Sequence, residues 1–267
     1  AELSDATLRR YHADIERPTY ENIEVVCPCC AARVKFNRVS DLKDTRPIGH
    51  ADVRCPTCGG HFAISGDWVL PPFKMLIFEC RQLRAQKRYA TCILNLSQAF
   101  EMFFSMHLRV ELAIRPAATQ FVREGHKDLD TLNALLADLY KKSKGWTFDP
   151  LRSAFLDLVL AGTRPPDLAQ AREALAQLPD NPKRQPDETI QAHPYERMRD
   201  LLLGVNRCTI HETRNRVVHQ YGYRPTRDEV DAALKEAKKL VGGLAAEFKL
   251  MTDDLNWYMS VERRHSA

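Results

Sequence analysis

Two short cysteine-rich segments constrain the fold of this chain more than any other feature of its sequence. The sequence reads Cys-Pro-Cys-Cys at 27–30 and Cys-Pro-Thr-Cys at 55–58, so each segment holds two thiols three positions apart. This spacing allows four thiolates to surround one tetrahedral zinc ion, with each segment forming a tight turn. The sequence therefore predicts a small N-terminal module folded around one zinc ion per chain.

Short stretches of strand-like sequence flank both turns, at 23–26, 33–36 and 61–64. Apolar residues that alternate with polar ones over so few positions are typical of short β-strands. The combination resembles a zinc ribbon, which we expect over residues 23–70, after an N-terminal extension at 1–22. Four thiolates leave no position for water on the metal, so we expect a structural zinc and no catalytic metal.

The region holds one cysteine more than such a site needs. If Cys29 replaced Cys30, a single residue would separate two ligands, which is poor geometry for one turn. His50 and His61 are weaker alternative ligands. Disulfide pairing is a further alternative, which the lack of an apolar leader segment disfavours. The predicted ligands are therefore Cys27, Cys30, Cys55 and Cys58.

The composition is that of an ordinary globular protein. The chain has 267 residues, of which 44% are hydrophobic and 28% charged, enough for a small module and one well-buried helical domain. Its formal net charge of +4 permits binding to RNA or another polyanion. The sequence contains no transmembrane run, and its cysteine usage fits a reducing cytosol. We therefore expect a cytoplasmic protein with no membrane partner.

Helical spacing of apolar residues dominates the chain after two prolines at 71–72. We expect a long helix that ends before Pro116, a helix from Asp149 to Gly162, and a further helix after Asp167. A proline-rich, charged segment at 179–194 is expected to be a mobile loop or lid.

These patterns give a mainly α fold class, with a small N-terminal β zinc ribbon followed by a helical domain at 71–267. The helices at about 145–192 are expected to be an insertion in that domain. The last helix is predicted to begin at a capping box formed by Thr226 and Glu229. It carries an apolar packing seam, formed by Val230, Leu234, Ala237, Val241, Leu244, Phe248, Met251 and Leu255.

A polar run near the end of another predicted helix carries the chemistry. The run reads Arg-Asn-Arg-Val-Val-His at 214–219, and helical spacing predicts one continuous helix from 201 to a glycine cap at Gly222. A guanidinium can hold a phosphate through parallel hydrogen bonds, and an imidazole can transfer protons near neutral pH. We expect Arg216 only to pair with Glu212 at i, i+4.

The run and its flanks resemble the signature of the HEPN superfamily, in which an Arg, a polar residue, three variable residues and a His lie on a core helix. The resemblance implies a HEPN-like helical bundle that forms a homodimer, with two motifs facing each other across a cleft. Many members are metal-independent endoribonucleases in toxins and antiviral effectors. The resemblance covers the helical part of the chain, although only the motif and its flanks are specific.

By position, the resemblance implies Arg214, Asn215 and His219 as the catalytic residues of an RNA-cleaving site. An acidic residue on the first core helix often lies near the motif in this family, so the resemblance implies that Glu101 orients Arg214, with ordinary exposure of this carboxylate as the alternative. We also expect supporting or substrate-binding roles for Glu212, Tyr221 and Tyr223, the tyrosines through stacking on bases.

Two function classes fit these patterns. The first is an endoribonuclease with RNA as its partner and a regulatory protein or antitoxin that restrains it. The second is a non-catalytic HEPN-like module that binds a nucleotide, RNA or a protein partner and serves for dimerisation. Zinc-dependent hydrolysis is disfavoured, because four thiolates close the metal site.

Overall fold

The computed structural model describes residues 22–37, 41–42, 50–65, 71–162 and 164–248. The chain divides into two compact units between Pro71 and Pro72. The first is a small β region and the second is helical, which confirms the predicted mainly α fold class. Almost all of the expected extension at 1–22 lies outside the described residues, as do Met251 and Leu255.

The N-terminal unit contains two β-hairpins. β1 (Asn22–Val26) pairs antiparallel with β2 (Arg33–Asn37), and β3 (His50–Arg54) pairs antiparallel with β4 (His61–Ser65). A cysteine turn joins the strands of each hairpin, at 27–30 and 55–58. The two hairpins are equivalent in their spacing. The strands of the first start at residues 22 and 33, and those of the second start at residues 50 and 61, so the separation between strands is the same. The sequence analysis did not identify this repeat.

Few apolar side chains stabilise this unit. Val34, Phe36, Val53 and Ile64 are buried, and the rings of Phe36 and Phe62 lie 6.2 Å apart. Cys27 and Cys55 are buried in the same cluster, at 1% exposure each. A core of this size contributes little stability, and small units of this kind usually need a further stabilising element such as a bound metal.

The helical unit contains ten α-helices and one π-helical turn among the described residues. In chain order these are α1 (Pro72–Ala85), α2 (Tyr89–Arg109), the π-helical turn (Val110–Ile114), α3 (Arg115–Glu124), α4 (Leu129–Ser143), α5 (Phe148–Ala161), α6 (Leu168–Gln177), α7 (Asp187–Gln191), α8 (Glu196–Arg207), α9 (Ile210–His219) and α10 (Arg227–Glu247).

The predicted long first helix starts where expected, at Pro72, but is wrong in its continuity and in its end. It is interrupted between α1 and α2, where Lys87 adopts a left-handed conformation with φ of 59°. It also continues past Pro116, which lies in the first turn of α3. Proline needs no backbone N–H partner in a first helical turn, and the wider π-helical turn before α3 allows the helix to restart there. The helical path ends instead at Gly125, with φ of 75°.

Packed aromatic rings from α2 and α5 form the centre of the helical unit. Phe104 and Phe155 lie 5.1 Å apart, and Phe103 and Phe155 lie 5.6 Å apart. Phe148 of α5 is fully buried at 5.8 Å from Phe100. α5 falls in the stretch expected to be an insertion, yet it supplies two rings to the central core.

The expected continuous helix over 201–219 is wrong, because it is broken between α8 and α9. Cys208 has an extended backbone, with ψ of 128°. The Arg152 guanidinium donates to the carbonyl oxygens of Asn206 and Cys208 at 3.3 and 3.4 Å, and Arg184 donates to that of Asn206 at 2.7 Å. These bonds satisfy carbonyls that a helix end leaves without partners. The motif therefore lies on a separate helix of ten residues.

The segment expected as a mobile loop at 179–194 contains α7 and is hydrogen-bonded to α8. The side-chain amide of Asn206 donates to the Gln185 carbonyl at 3.0 Å and to the Asp187 carboxylate at 2.7 Å. The Trp146 indole donates to the Asp180 carbonyl at 3.0 Å. The segment is therefore held against its neighbours at its start and in its middle.

The last helix agrees with its prediction. Thr226 and Glu229 form the capping box at the start of α10, and the described residues of the predicted seam are buried. Two glycines allow α10 to approach α8 closely, because a Cβ at Gly204 would collide with Leu240 and one at Gly243 would lie 2.8 Å from Leu201.

A buried histidine in the aromatic core gives the folded protein a pH-dependent stability. His107 is 1% exposed, and its ring lies 4.9 Å from Phe155 and 4.3 Å from Phe248. Burial, together with the charges of Arg115 and Arg164, lowers the pKa of His107 to about 3.

We predict that the stability of the protein falls as the pH is lowered from about 6.5, the pKa of histidine in an unfolded chain. Below that pH the unfolded state binds a proton that His107 in the folded state does not, which costs about 1.4 kcal/mol per pH unit. Urea denaturation at several pH values between 6.5 and 4.5 measures the free energy of unfolding. The slope of this free energy against pH should be smaller in His107→Phe than in wild type. The control His126→Gln, at an exposed site, should keep the wild-type slope. Equal slopes in wild type and His107→Phe would contradict the prediction.

Candidate functional site

The four predicted cysteine ligands form one compact cluster. The thiols of Cys27, Cys30, Cys55 and Cys58 all lie within 4.8 Å of one another. The sulfurs of Cys27 and Cys58 are 3.8 Å apart, and those of Cys30 and Cys55 are 3.9 Å apart. Zn–S bonds of about 2.3 Å in a tetrahedron place the sulfurs about 3.8 Å apart. The cluster therefore has dimensions that fit a tetrahedral metal ion.

Backbone N–H groups of the two turns point toward the sulfurs. The Cys29 amide donates to Cys27 Sγ and the Thr57 amide donates to Cys55 Sγ, both at 3.4 Å. Hydrogen bonds from the backbone N–H groups of Cys58 and Thr57 lower the pKa of Cys55 to about 6, and the bond from Cys58 has the larger effect. A thiol with a lowered pKa reaches its thiolate form, the form that binds metal, at neutral pH.

Of the alternative ligands, Cys29 and His61 lie outside the cluster of four thiols. Cys29 is exposed and outside the four-thiol cluster, and its Sγ covers Gly60, where a Cβ would lie only 2.9 Å from it. His61 is exposed and also outside the cluster. The side chain of His50 lies outside the described residues.

Arg214 and Asn215 form a hydrogen-bonded pair in the middle of α9. Arg214 Nη1 donates to Asn215 Oδ1 at 3.0 Å, and both residues are half-buried. His219 is the last residue of α9, three positions before Gly222, and is exposed. Its imidazole makes no hydrogen bond or ion pair with the residues that the structure describes. The structure thus places a fixed guanidinium and an accessible imidazole on one short helix.

Glu101 lies on α2, next to α9. Burial raises the pKa of Glu101, and the positive charge of Arg214 opposes that rise. The two charges therefore interact electrostatically, while the hydrogen bond of Arg214 goes to Asn215, so an orienting role of Glu101 stays a prediction.

The sequence analysis missed His211, one turn before Asn215. Because Arg214 donates to Asn215 Oδ1, the amide nitrogen of Asn215 faces His211 Nε2, at 3.0 Å. His211 Nε2 also lies 3.6 Å from Asp149, and the ring stacks on Phe148 at 5.0 Å. Positions 211, 215 and 219 share one helix face, which is the sequence signal that could have identified this histidine.

A pocket opens beside His211, between the first turns of α5 and α9. It has a volume of about 290 Å³ and is lined by polar side chains, among them Asp149, Arg152, Ser153, Arg184, His211 and Glu212. Glu212, expected to support the site, therefore lies at this pocket one turn before Arg216.

The predicted partner of Arg216 is wrong, and Tyr223 makes contacts that were not predicted. Arg216 pairs with Glu229 at 3.4 Å rather than with Glu212, and its guanidinium covers the Tyr223 ring at 3.9 Å. The Tyr223 hydroxyl donates to Glu229 at 2.9 Å, so this tyrosine belongs to a local cluster and one face of its ring is occupied. Tyr221 is fully exposed, which leaves its ring accessible for stacking.

Comparisons with protein-family models, with curated proteins and with solved structures find no match. The resemblance to the HEPN superfamily therefore stays a prediction from the motif and its flanks. Within the described ranges, no helix is both long enough and apolar enough to cross a membrane.

We predict that His211 is neutral at pH 7.5 with its proton on Nδ1, because Nε2 accepts from Asn215. Burial is the main cause that lowers the pKa of His211, while the charge of Asp149 raises it. Asp149→Asn should therefore lower this pKa further, and Asp138→Asn, on the exposed face of α4, should leave it unchanged. Nitrogen-15 NMR of the imidazole measures both properties. A neutral ring with its proton on Nε2 would contradict the assignment.

Proposed function

We propose that this protein is a metal-independent endoribonuclease of HEPN type that acts as a homodimer on RNA. The proposal rests on the arrangement of side chains on α9. The half-buried Arg214–Asn215 pair precedes the exposed His219 by less than two turns of this helix. A guanidinium held in place can bind a phosphate, and an accessible imidazole can transfer a proton.

The reaction is an internal transfer at the RNA phosphate. Arg214 binds the scissile phosphate and stabilises the charge that develops on it. The 2′-oxygen attacks phosphorus, the bond to the 5′-oxygen breaks, and the products are a 2′,3′-cyclic phosphate and a 5′-hydroxyl end. His219 accepts the proton of the 2′-hydroxyl or donates one to the leaving oxygen. In a dimer the second His219 supplies the complementary step, while Asn215 keeps Arg214 oriented.

The cysteine cluster takes a structural role in this proposal. The sulfur separations of 3.8 and 3.9 Å fit zinc, and four thiolates complete its coordination. Bound zinc would supply folding energy to a unit whose apolar core is small. The ribbon then recruits RNA or a regulatory protein, and an antitoxin or other regulator restrains the activity in a toxin or antiviral setting in the cytoplasm.

A binding module without catalysis is the second candidate. The observation that favours it is that Arg214 already has a hydrogen bond to Asn215 and a nearby carboxylate in Glu101. In this role the same helix face binds a nucleotide, RNA or a protein partner, and the helical domain serves for dimerisation.

We predict that the purified full chain cleaves mixed RNA in the presence of a chelator and leaves cyclic phosphate ends. His219→Ala should lose about 100-fold or more of the rate, the usual contribution of a general acid or base. His126→Ala, at an exposed site away from α9, is the matched control and should cleave like wild type. Equal rates in His219→Ala and wild type contradict the mechanism. A folded wild type that binds RNA without cleaving it supports the binding module instead.

We further predict one bound zinc ion per chain in protein purified without chelator. Cys58→Ser should lose most of the metal, because three thiolates hold zinc much more weakly than four. Cys29→Ser should keep it, because Cys29 lies outside the cluster. Elemental analysis by mass spectrometry measures the metal content of both variants. Loss of zinc in Cys29→Ser with retention in Cys58→Ser would contradict the ligand assignment.

A further inference from the structure

The pocket between α5 and α9 has the features of a ligand site. Its volume of about 290 Å³ lies close to the lower end of the roughly 300–1,000 Å³ that small-molecule sites occupy, which suits a single nucleotide. Arg152 lines the pocket at 6% exposure, and its buried Nε has no hydrogen-bond partner among the described residues. Ser153 contributes a buried hydroxyl to the same wall.

The lining combines positive and negative groups. Two guanidiniums, of Arg152 and Arg184, can only donate hydrogen bonds, and two carboxylates, of Asp149 and Glu212, accept them. A simple anion such as free phosphate accepts hydrogen bonds from the two guanidiniums but is repelled by the two carboxylates. A ligand with both an anionic part and N–H donors satisfies both pairs. A nucleotide has this combination of phosphate and base.

The carboxylates are not equivalent. Asp149 forms an ion pair with Arg152 at 2.6 Å, whereas Glu212 is exposed and makes no ion pair with the described part of the chain. Glu212 is therefore the acceptor that a ligand can use. Guanine carries two adjacent N–H donors on its Watson–Crick edge, which match the two oxygens of one carboxylate. The other bases offer a single donor group on that edge.

The pocket is connected to the motif through α9. His211 forms one wall of the pocket and bonds to Asn215, which in turn bonds to Arg214. The helix rises only about 4.5 Å from residue 211 to residue 214, so a nucleotide in the pocket lies close to a phosphate bound at Arg214.

We propose that the pocket between α5 and α9 binds one guanine nucleotide of the RNA, next to the bond that is cleaved, with Glu212 reading the base. This inference rests on the proposed function, which it extends to a sequence preference. Arg184 holds the anionic part of the nucleotide, and His211 links the occupied pocket to the Arg214–Asn215 pair.

Binding is tested on the wild-type chain with four mononucleotides, which contain no phosphodiester bond that the protein could cleave. Isothermal titration with GMP, AMP, CMP and UMP should give a dissociation constant for GMP at least about tenfold lower than for the others, since a site built to hydrogen-bond a group discriminates against analogues that lack it. Adding Glu212→Gln should remove the preference. Adding Glu173→Gln instead, an exposed carboxylate on α6, should preserve it. Equal affinity for all four nucleotides, or a preference unchanged by Glu212→Gln, overturns the proposal.

A second measurement separates this inference from the proposed function. Sequencing of RNA ends after cleavage by wild type should show guanine enriched at one fixed position beside the cut, and Glu212→Gln should lose the enrichment. GMP binding that depends on Glu212, in a wild type that does not cleave RNA, supports the pocket and overturns the ribonuclease. Cleavage without a guanine preference and without GMP binding overturns the pocket and leaves the ribonuclease standing.

Discussion

The buried guanidinium of Arg152 is the interaction on which the candidate site depends. It donates to the carbonyls of Asn206 and Cys208 and pairs with Asp149, so it joins the start of α5 to the break between α8 and α9. Burial lowers the pKa of Arg152, and the charge of Asp149 opposes that effect. Removing this side chain would take the side-chain donor away from the Cys208 carbonyl, a loss that costs about 1–3 kcal/mol for a buried group, while the Asn206 carbonyl would keep its bond from Arg184. The break in turn sets the direction in which α9 presents His211, Asn215 and His219.

Local sequence patterns predicted the parts of the fold whose cause is local. The capping box at Thr226 forms because its partner Glu229 is three residues away, and α6 begins at Asp167 for a similar reason. The cysteine turns follow from spacing alone. Each of these features is decided within one turn of helix or one hairpin, where propensity and spacing carry the information.

The errors share a different origin. The break at Cys208 contains neither glycine nor proline, and its hydrogen-bond donor is Arg152, far away in the sequence. Arg216 has a suitable partner in Glu212 one turn away, yet the Tyr223 ring and Glu229 compete successfully for it. His211 was missed because its role depends on Asp149 and Phe148 of another helix. The shared helix face made His211 a candidate, but the contacts with Asp149 and Phe148 have no local signal, so the motif suggested Arg214, Asn215 and His219 without the residues that contact them.

The two equivalent hairpins also fix how the cysteine cluster meets solvent. Each turn contributes one buried cysteine, Cys27 or Cys55, and one exposed cysteine, Cys30 or Cys58. An ion bound by all four would be shielded on the side of the buried pair and approachable on the side of the exposed pair. Ligand exchange, attack by a competing thiol and oxidation would all begin at the exposed pair, one from each hairpin, so metal release can proceed stepwise while the buried pair keeps both hairpins together.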